Sequence, residues 1–195
     1  MTDIRMLLQT RTGLGCSTRA LGLAIALGVG SCLLGACTGM PDRVTPVSDF
    51  DVERYLGKWY EIARLDHSFE TGLEQVTAHY SARPDGGLKV VNRGFDASRG
   101  EWRQAEGRAY FIGDRHTGRL KVSFFGPFYG SYNIIELDRP GYRYALVCGP
   151  DTSYLWVLAR RPDLDPRIVG QLVARAEALG FDTSRLIYVK QRPQQ

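Results

Sequence analysis

Few side chains in this sequence are of the types that carry out catalysis, and their spacing matches no catalytic motif. The three histidines, His67, His79 and His116, show neither the H-x-H nor the H-E-x-x-H spacing of a metal site. No G-x-S-x-G motif presents a serine nucleophile, and Glu61 is the one candidate acid or base. The sequence therefore predicts no catalytic residue, no metal and no cofactor. A lipid-modifying enzyme is the alternative, since a fold alone does not exclude catalysis.

Cys37 is placed for a covalent modification. It follows Leu34-Gly35-Ala36, which ends a charge-free apolar stretch over 20–34, and three arginines precede that stretch. About 20 apolar residues are needed to cross a bilayer, so the stretch is too short to be a membrane span. The segment resembles the lipobox of bacterial lipoproteins, which implies a signal peptide over 1–36 and an acyl group such as palmitate on Cys37. The alternative is ordinary cleavage after Ala36 with an unmodified cysteine.

The residues after Cys37 predict a simple domain organisation. Residues 37–48, with Pro41 and Pro46, are interpreted as the lipidated cysteine and a short tether. Residues 49–195 have the length of one domain with a substantial core. Thr38 stands where an aspartate would retain an enterobacterial lipoprotein at the inner membrane. This favours an anchor in the outer membrane.

Charge and cysteine content exclude further classes of protein. Without residues 1–36 the chain keeps 22 basic and 20 acidic residues, and no run of five Lys or Arg follows Cys37. No nucleic-acid partner is therefore predicted. Cys16 and Cys32 would leave with the signal peptide and Cys37 would be acylated, so no intramolecular disulfide is expected. Cys148 is predicted to be a small buried strand residue.

Alternating apolar and polar residues predict eight short strands separated by Gly, Pro and Asp turns. The predicted strands cover 59–65, 75–81, 88–93, 102–111, 120–124, 132–137, 142–148 and 154–159. Short connections indicate an up-and-down meander, and eight antiparallel strands can close into a barrel that holds one small ligand. The fold class is therefore all-β, an eight-stranded antiparallel barrel.

One segment after the strands has helical periodicity. Asp165-Pro166 is an N-cap followed by proline at the first helical position, and Gly180 ends the segment. Its apolar residues form one stripe, which predicts a helix packed outside the barrel. A short final strand is expected over 186–189.

Several motifs are similar to those of a known family. Gly57-x-Trp59, Thr152-Ser153-Tyr154 and Arg160 resemble the lipocalin signature in order and spacing, although the family usually has Asp where Ser153 stands. The blocks 54–64, 121–130 and 145–151 resemble the bacterial outer-membrane branch of the lipocalins, which is related to apolipoprotein D. The resemblance implies a barrel floor formed by Gly57, Trp59 and Arg160. It also implies a periplasm-facing lipoprotein that binds fatty acids or lysophospholipids, and a homodimer.

The side chains expected to line the barrel follow from strand alternation, once Trp59 is set inward at the floor. They are Ala63, Val76, Ala78, Tyr80, Val90, Asn92, Ala105, Ala109, Leu120, Val122, Phe124, Tyr132, Ile134, Ala145, Val147, Tyr154 and Trp156. Glu61 and Leu158 also alternate inward, and Glu61 is expected to be satisfied by local backbone or Arg160. Arg93 and Arg103 are expected to face outward. The small residues predict an apolar cavity suited to an acyl chain, and the alternative is a filled core.

Aromatic residues are concentrated in one predicted loop at the barrel mouth. Phe125, Phe128 and Tyr129 surround Gly126-Pro127, while His67 and Phe69 lie in another mouth loop. Three alternatives are open for the aromatic loop: it enters a bilayer, it forms a dimer interface, or it packs on itself. The first two favour a second candidate function, an interaction protein that docks a partner or a second copy through this loop.

Overall fold

Eight antiparallel strands form a closed barrel in a computed structural model, which describes residues 38–191. The strands are β1 Gly57–Arg64, β2 Leu73–Ala82, β3 Leu88–Asp96, β4 Glu101–Phe111, β5 Arg119–Phe125, β6 Phe128–Leu137, β7 Tyr144–Cys148 and β8 Leu155–Ala159. Each pairs with the next along the chain, and β1 pairs with both β8 and β2. This closure confirms the predicted up-and-down barrel.

The predicted strand ends differ from the observed ones by a few residues. The largest differences lie in β3, which continues to Asp96, and in β6, which begins at Phe128 rather than Tyr132. β7 begins at Tyr144 because Tyr142 has a φ of 51° and completes a turn with Asp138, whose carbonyl accepts its N–H. The final strand, β9, is Ile187–Tyr188 and pairs outside the barrel with the last two residues of β1.

The two ends of the barrel have different structures. In a meander, alternate connections lie at the same end, so the β1–β2, β3–β4, β5–β6 and β7–β8 loops share what we call the open end. The opposite end is the floor, where a short helix, α1 Val52–Tyr55, precedes β1. Asp51 caps α1 by accepting a hydrogen bond from the Glu53 N–H. The chain thus plugs one end of the barrel before it enters β1.

The predicted helix is α2 Pro166–Ala178, and it packs outside the barrel. The Asp165 carboxylate accepts the Arg167 N–H at 2.8 Å, and Pro166 occupies the first turn. Leu172 and Ala176 are buried against apolar side chains that face outward from the barrel wall. The molecule therefore has an interior core inside the barrel and an exterior core beneath α2.

The segment predicted as a tether is instead packed on the barrel. Val44 is buried in the exterior core, and the Val47 N–H donates to the Ile134 carbonyl at 2.9 Å. The Gly118 N–H donates to the Val47 carbonyl at 2.8 Å. Apolar side chains in this segment gain by burial, and its backbone groups are satisfied by the strands below. Residues 40–48 are thus part of the folded domain.

The predicted signal peptide and the candidate acylation site, Cys37, lie outside the described residues. Neither α1 nor α2 is long and apolar enough to cross a membrane, within residues 38–191. Cys148 is buried in the exterior core, where burial raises the pKa of its thiol to about 12.

Candidate functional site

An apolar cavity of about 580 Å³ occupies the barrel interior. Thirteen of the predicted lining residues contribute to it: Val76, Ala78, Tyr80, Val90, Asn92, Ala105, Ala109, Leu120, Val122, Phe124, Tyr132, Tyr154 and Trp156. Phe69, Phe125 and Phe128 from two open-end loops also line it. The cavity therefore opens at that end, and its volume lies in the range of about 300–1,000 Å³ that small-molecule sites have.

Four predicted lining residues do not reach the cavity. Ala63 faces the exterior core, because a β-bulge between Glu61 and Ala63 shifts the register of β1 and reverses the side-chain alternation. Ile134, Ala145 and Val147 belong to the interior core, but neighbouring side chains cover them completely. The barrel is thus partly filled, and the cavity occupies the remaining space.

The same bulge places an unpredicted arginine inside the barrel wall. Arg64 follows Ala63 and its side chain is 1% exposed. Its Nη1 donates to Glu61 Oε1 at 2.7 Å, and its Nη2 donates to the Glu70 carbonyl at 2.8 Å. The Glu61 carboxyl was expected to meet local backbone or Arg160, and Arg64 takes that place. The sequence of β1 did not indicate that Arg64 rather than Ala63 faces inward, because apolar–polar alternation does not reveal the position of a bulge.

Glu61 and Glu70 both line the cavity beside Arg64. Glu70 comes from the β1–β2 loop, and its Oε2 accepts the Trp156 indole N–H at 3.1 Å. Burial raises the pKa of Glu61 to about 8, and the nearby Glu70 charge adds to the effect while Arg64 opposes it. Burial likewise raises the pKa of Glu70. One guanidinium thus interacts with two carboxyl groups in a largely apolar space. This environment favours retention of a proton by the two carboxyls.

Three tyrosine hydroxyls meet deep in the cavity. Tyr80 donates to the Tyr132 hydroxyl at 2.8 Å, and the Tyr55 and Tyr132 hydroxyls are 2.7 Å apart. Burial raises the pKa of all three phenols, so they stay neutral. Two hydrogen bonds use two of the three O–H protons, which leaves one donor for an oxygen of a ligand. Tyr55 was not predicted, because a four-residue helix is too short to show periodicity.

Two unpartnered polar atoms add to this polar set. Asn92 Oδ1 and Ser123 Oγ are buried without a hydrogen-bond partner among the described residues, and both residues line the cavity. Arg93 and Arg103, which were expected to face outward only, also contribute to its lining. For Arg103 the reason is that β4 alternates without a bulge from Ala109 and Ala105, so it shares their face. The cavity combines apolar walls with a few separate hydrogen-bonding groups.

The floor is built from the three residues that the family resemblance implied. The Arg160 guanidinium lies 4.0 Å from the centroid of the Trp59 ring. It donates to the carbonyls of Arg54 at 2.7 Å, Lys58 at 2.9 Å and Tyr142 at 3.2 Å. A planar guanidinium over an indole ring gains cation–π attraction, while its N–H groups donate hydrogen bonds to nearby carbonyls. The floor therefore seals the closed end of the cavity.

Gly57 permits the chain to turn from α1 into β1. Its φ is 93°, a conformation that residues with a side chain rarely adopt. Two residues later the Trp59 indole N–H donates to the Tyr55 carbonyl at 2.8 Å. The turn thus holds α1 against the floor.

The rim of the open end is aromatic. The His67 ring stacks between Phe69 and Tyr154, with centroid distances of 5.3 Å and 4.1 Å. Burial lowers the pKa of His67, so it is a neutral aromatic partner in this stack. Phe125 and Phe128 are 79% and 67% exposed.

Among residues 38–191 no group of three His, Cys, Asp or Glu side chains is placed to hold a metal ion. What the arrangement offers is an apolar binding cavity.

Comparison with known proteins agrees with this geometry. Residues 50–191 match the lipocalin-like domain family. Outer membrane lipoprotein Blc of Vibrio cholerae is 57% identical over 169 residues, which cover 87% of this chain and 99% of that protein. Blc of Escherichia coli K12 is 54% identical over 169 residues, with 86% and 95% coverage.

More distant relatives extend the similarity. Apolipoprotein D of Rattus norvegicus is 31% identical over 178 residues, covering 88% of this chain and 86% of that protein. The solved structure of insecticyanin from the tobacco hornworm Manduca sexta superposes with a TM-score of 0.63 at 22% identity, covering 78% and 86% of the two chains. Its likeness concerns the fold alone. The barrel, the family match and the close relatives together establish that this chain belongs to the lipocalin family.

Proposed function

We propose that this protein is a lipid-binding lipocalin that stores or carries one fatty acid or lysophospholipid and is anchored to the outer membrane through Cys37. The observation that carries the proposal is the apolar cavity of about 580 Å³, closed at the floor and open at the other end. An acyl chain buried in such a space gains about 0.8 kcal/mol per CH₂ removed from water. The apolar walls of the cavity supply that environment.

The family and the relatives support the same function. Lipocalins bind small apolar ligands, and binding rather than catalysis is their activity. The names of the two bacterial relatives, outer membrane lipoprotein Blc, support an outer-membrane anchor on Cys37. The domain would then face the periplasm.

The polar groups of the cavity favour lysophospholipid over free fatty acid. Arg64, the one buried cation among residues 38–191, is already engaged by Glu61 and Glu70, and only its Nε lacks a hydrogen-bond partner. The two carboxyls beside Arg64 would compete with a fatty acid carboxylate for this one guanidinium. An ester carbonyl or a glycerol hydroxyl can instead pair with the spare tyrosine donor or with Asn92. The phosphate would then lie near Arg103 at the rim.

Native mass spectrometry tests the proposal directly. The lipoprotein is purified, transferred to a detergent compatible with the measurement, and examined with added lysophospholipid or fatty acid. The expected result is a one-to-one adduct, with lysophospholipid bound more tightly. A folded barrel that forms no adduct with either lipid would overturn the proposal.

A matched pair of substitutions locates the adduct. Ala109→Trp places an indole in the cavity, whereas Ala174→Trp adds the same group on the exposed face of α2. We expect Ala109→Trp to lower lipid affinity at least tenfold and Ala174→Trp to leave it unchanged. Equal affinities in the two folded variants would place the lipid outside the barrel.

A second candidate function rests on the exposed aromatic loop. Phe125 and Phe128 present apolar rings to solvent, which suits a docking surface for a second copy or another partner. Under this alternative, Phe125→Asp would abolish association while Ala109→Trp would not affect it. Sedimentation velocity of both variants separates docking from lipid carriage.

A further inference from the structure

The carboxyl groups beside Arg64 outnumber the cations that pair with them. Glu61 Oε1 lies 2.7 Å from Arg64 Nη1. Arg64 Nε lies 3.8 Å from Asp66 Oδ1 and 3.9 Å from Glu70 Oε2. Among residues 38–191 no second Lys or Arg forms a salt bridge with any of these three carboxyls. The charge of one guanidinium therefore balances at most one of them.

Two of these carboxyls face the cavity rather than solvent. The Glu61 and Glu70 side chains are 5% and 8% exposed, and both residues line the cavity. Glu61 Oε1 accepts the Arg64 hydrogen bond, whereas its Oε2 accepts none from the residues that the structure describes. Burial raises the pKa of both carboxyls, to about 8 for Glu61. A cation placed beside them would stabilise their charged forms, so the cavity favours a ligand that brings one.

Aromatic rings lie beside the same carboxyls. The Trp156 indole N–H donates to Glu70 Oε2 at 3.1 Å. Tyr154 lies with its ring centroid 6.2 Å from that of Trp156, and both residues line the cavity together with Phe69. Aromatic faces attract ligand cations through the ring quadrupole, and this attraction is a common way to bind ammonium groups. The rings therefore point to the same ligand chemistry as the excess of carboxyls.

This part of the cavity lies in the half nearer the open end. Phe69 and Glu70 belong to the β1–β2 loop, which is one of the loops at that end. The tyrosine hydroxyls lie deeper, and Tyr55 belongs to α1 at the floor. A lipid whose acyl chain extends towards the floor would place its headgroup beside Glu70.

We propose that Glu61, Glu70 and the Trp156 ring form a subsite for the primary ammonium group of a lysophospholipid headgroup of the ethanolamine kind. The subsite depends on the proposed lipid-binding function and adds the headgroup that the cavity selects. A primary ammonium has three N–H donors, which the carboxyl oxygens accept. A glycerol headgroup or a free fatty acid brings no cation to this place.

Matched lipids test the subsite in the full lipoprotein. Lysophosphatidylethanolamine, its N-acetyl derivative and lysophosphatidylglycerol, all with the same acyl chain, are titrated separately into the protein in detergent. Native mass spectrometry gives each Kd from the free and bound fractions. N-acetylation removes the positive charge and keeps the phosphate and the acyl chain. We expect the ethanolamine lipid to bind several-fold more tightly than the other two, and equal affinities would overturn the subsite.

Substitutions locate the preference. Glu61→Gln and Glu70→Gln together keep the side-chain lengths and remove both charges, so the three lipids should then bind about equally. Glu74→Gln is the matched control, because Glu74 pairs with Lys190 at 2.9 Å and is not among the residues that line the cavity. This variant should keep the wild-type preference. A wild-type preference in the folded double variant would overturn the subsite, and the two single variants carry the same test if the double variant does not fold.

The subsite and the proposed function fail in different ways. A folded protein that forms no adduct with any of these lipids or with a fatty acid would remove the proposed function and the subsite with it. Adducts of equal affinity with all three lysophospholipids would leave lipid binding intact and remove the ammonium subsite alone.

Discussion

At the scale of single residues, the Glu61 and Glu70 carboxyls beside Arg64 are the cavity groups whose pKa values are raised by their surroundings. The Arg64 guanidinium is 1% exposed and has carboxyl oxygens at 2.7 Å and 3.9 Å. Removing one partner of such a cluster costs more than the cluster contributes, because the remaining charge stays buried. We therefore expect the cluster to make stability depend on pH and, under the proposed function, to affect which ligand binds.

The raised pKa of Glu61 predicts a loss of stability as the pH rises. An unfolded glutamate ionises near pH 4.5, whereas folding raises the pKa of Glu61 to about 8. Between these values the unfolded chain binds fewer protons than the folded one, so the free energy of unfolding falls with pH, by at most about 1.4 kcal/mol per pH unit for one group. Glu61→Gln resembles the protonated acid and accepts the same Arg64 hydrogen bond. We expect this variant to lack that slope in urea unfolding from pH 5 to 8.

Glu177→Gln provides the control for this experiment, since Glu177 is exposed on α2. It should follow the wild-type pH dependence. Parallel stability curves for wild type and Glu61→Gln would show that Glu61 ionises normally in the folded protein.

At the scale of elements, the barrel wall separates two cores with different tasks. Leu172 on α2 packs in the exterior core, and Ala109 on β4 borders the cavity. Leu172→Ala should destabilise the fold by about 2–5 kcal/mol, the range for buried leucine truncation, without changing lipid affinity. Ala109→Trp should show the opposite pattern. Denaturant unfolding and lipid titration of both variants measure the two effects.

One result would contradict the independence of the two cores. A tenfold loss of lipid affinity in folded Leu172→Ala would mean that α2 controls the cavity through the wall. Val173→Ala serves as the control, because Val173 is only partly buried on the same helix. Its effect on stability should be smaller than that of Leu172→Ala.

The elements were predictable from sequence where alternation persists, and not where it breaks. Ala105 and Ala109 alternate along unbroken β4, and both line the cavity. In β1 the bulge after Glu61 turns Ala63 outward and Arg64 inward, and only three-dimensional pairing with β8 determines it. The packing of Val44 was missed for another reason. Apolar residues in a proline-containing segment show neither helical nor strand periodicity, so the sequence did not indicate which of them are buried. Local pattern thus predicts which strands exist, while tertiary contacts decide which side chains meet.

At the scale of the whole molecule, the N-terminal segment connects the two ends of the barrel. It begins beside the β7–β8 loop, hydrogen-bonds β6 through Val47, and reaches the floor at Phe50. Because the segment is packed, an anchor on Cys37 of the proposed kind would restrict the orientation of the barrel. A flexible tether would instead have left the open end free to point in any direction.

This rigidity predicts that a longer connection slows lipid uptake. A Gly/Ser insertion of about 20 residues between Thr38 and Gly39 adds a mean span of about 25 Å and lowers the effective concentration of the mouth at the bilayer. Uptake of a fluorescent lysophospholipid from the vesicle that carries the anchor should slow several-fold. Affinity for monomeric lysophospholipid should not change, because the cavity is untouched.

The same insertion between Asp114 and Arg115, in the β4–β5 turn at the floor, is the matched control. This turn is exposed and remote from the open end, so uptake should keep the wild-type rate. Equal uptake rates for both insertions would mean that lipid reaches the cavity through water, and the position of the anchor would then have no role in loading. A slower rate only for the N-terminal insertion would tie loading to the distance between the mouth and the membrane.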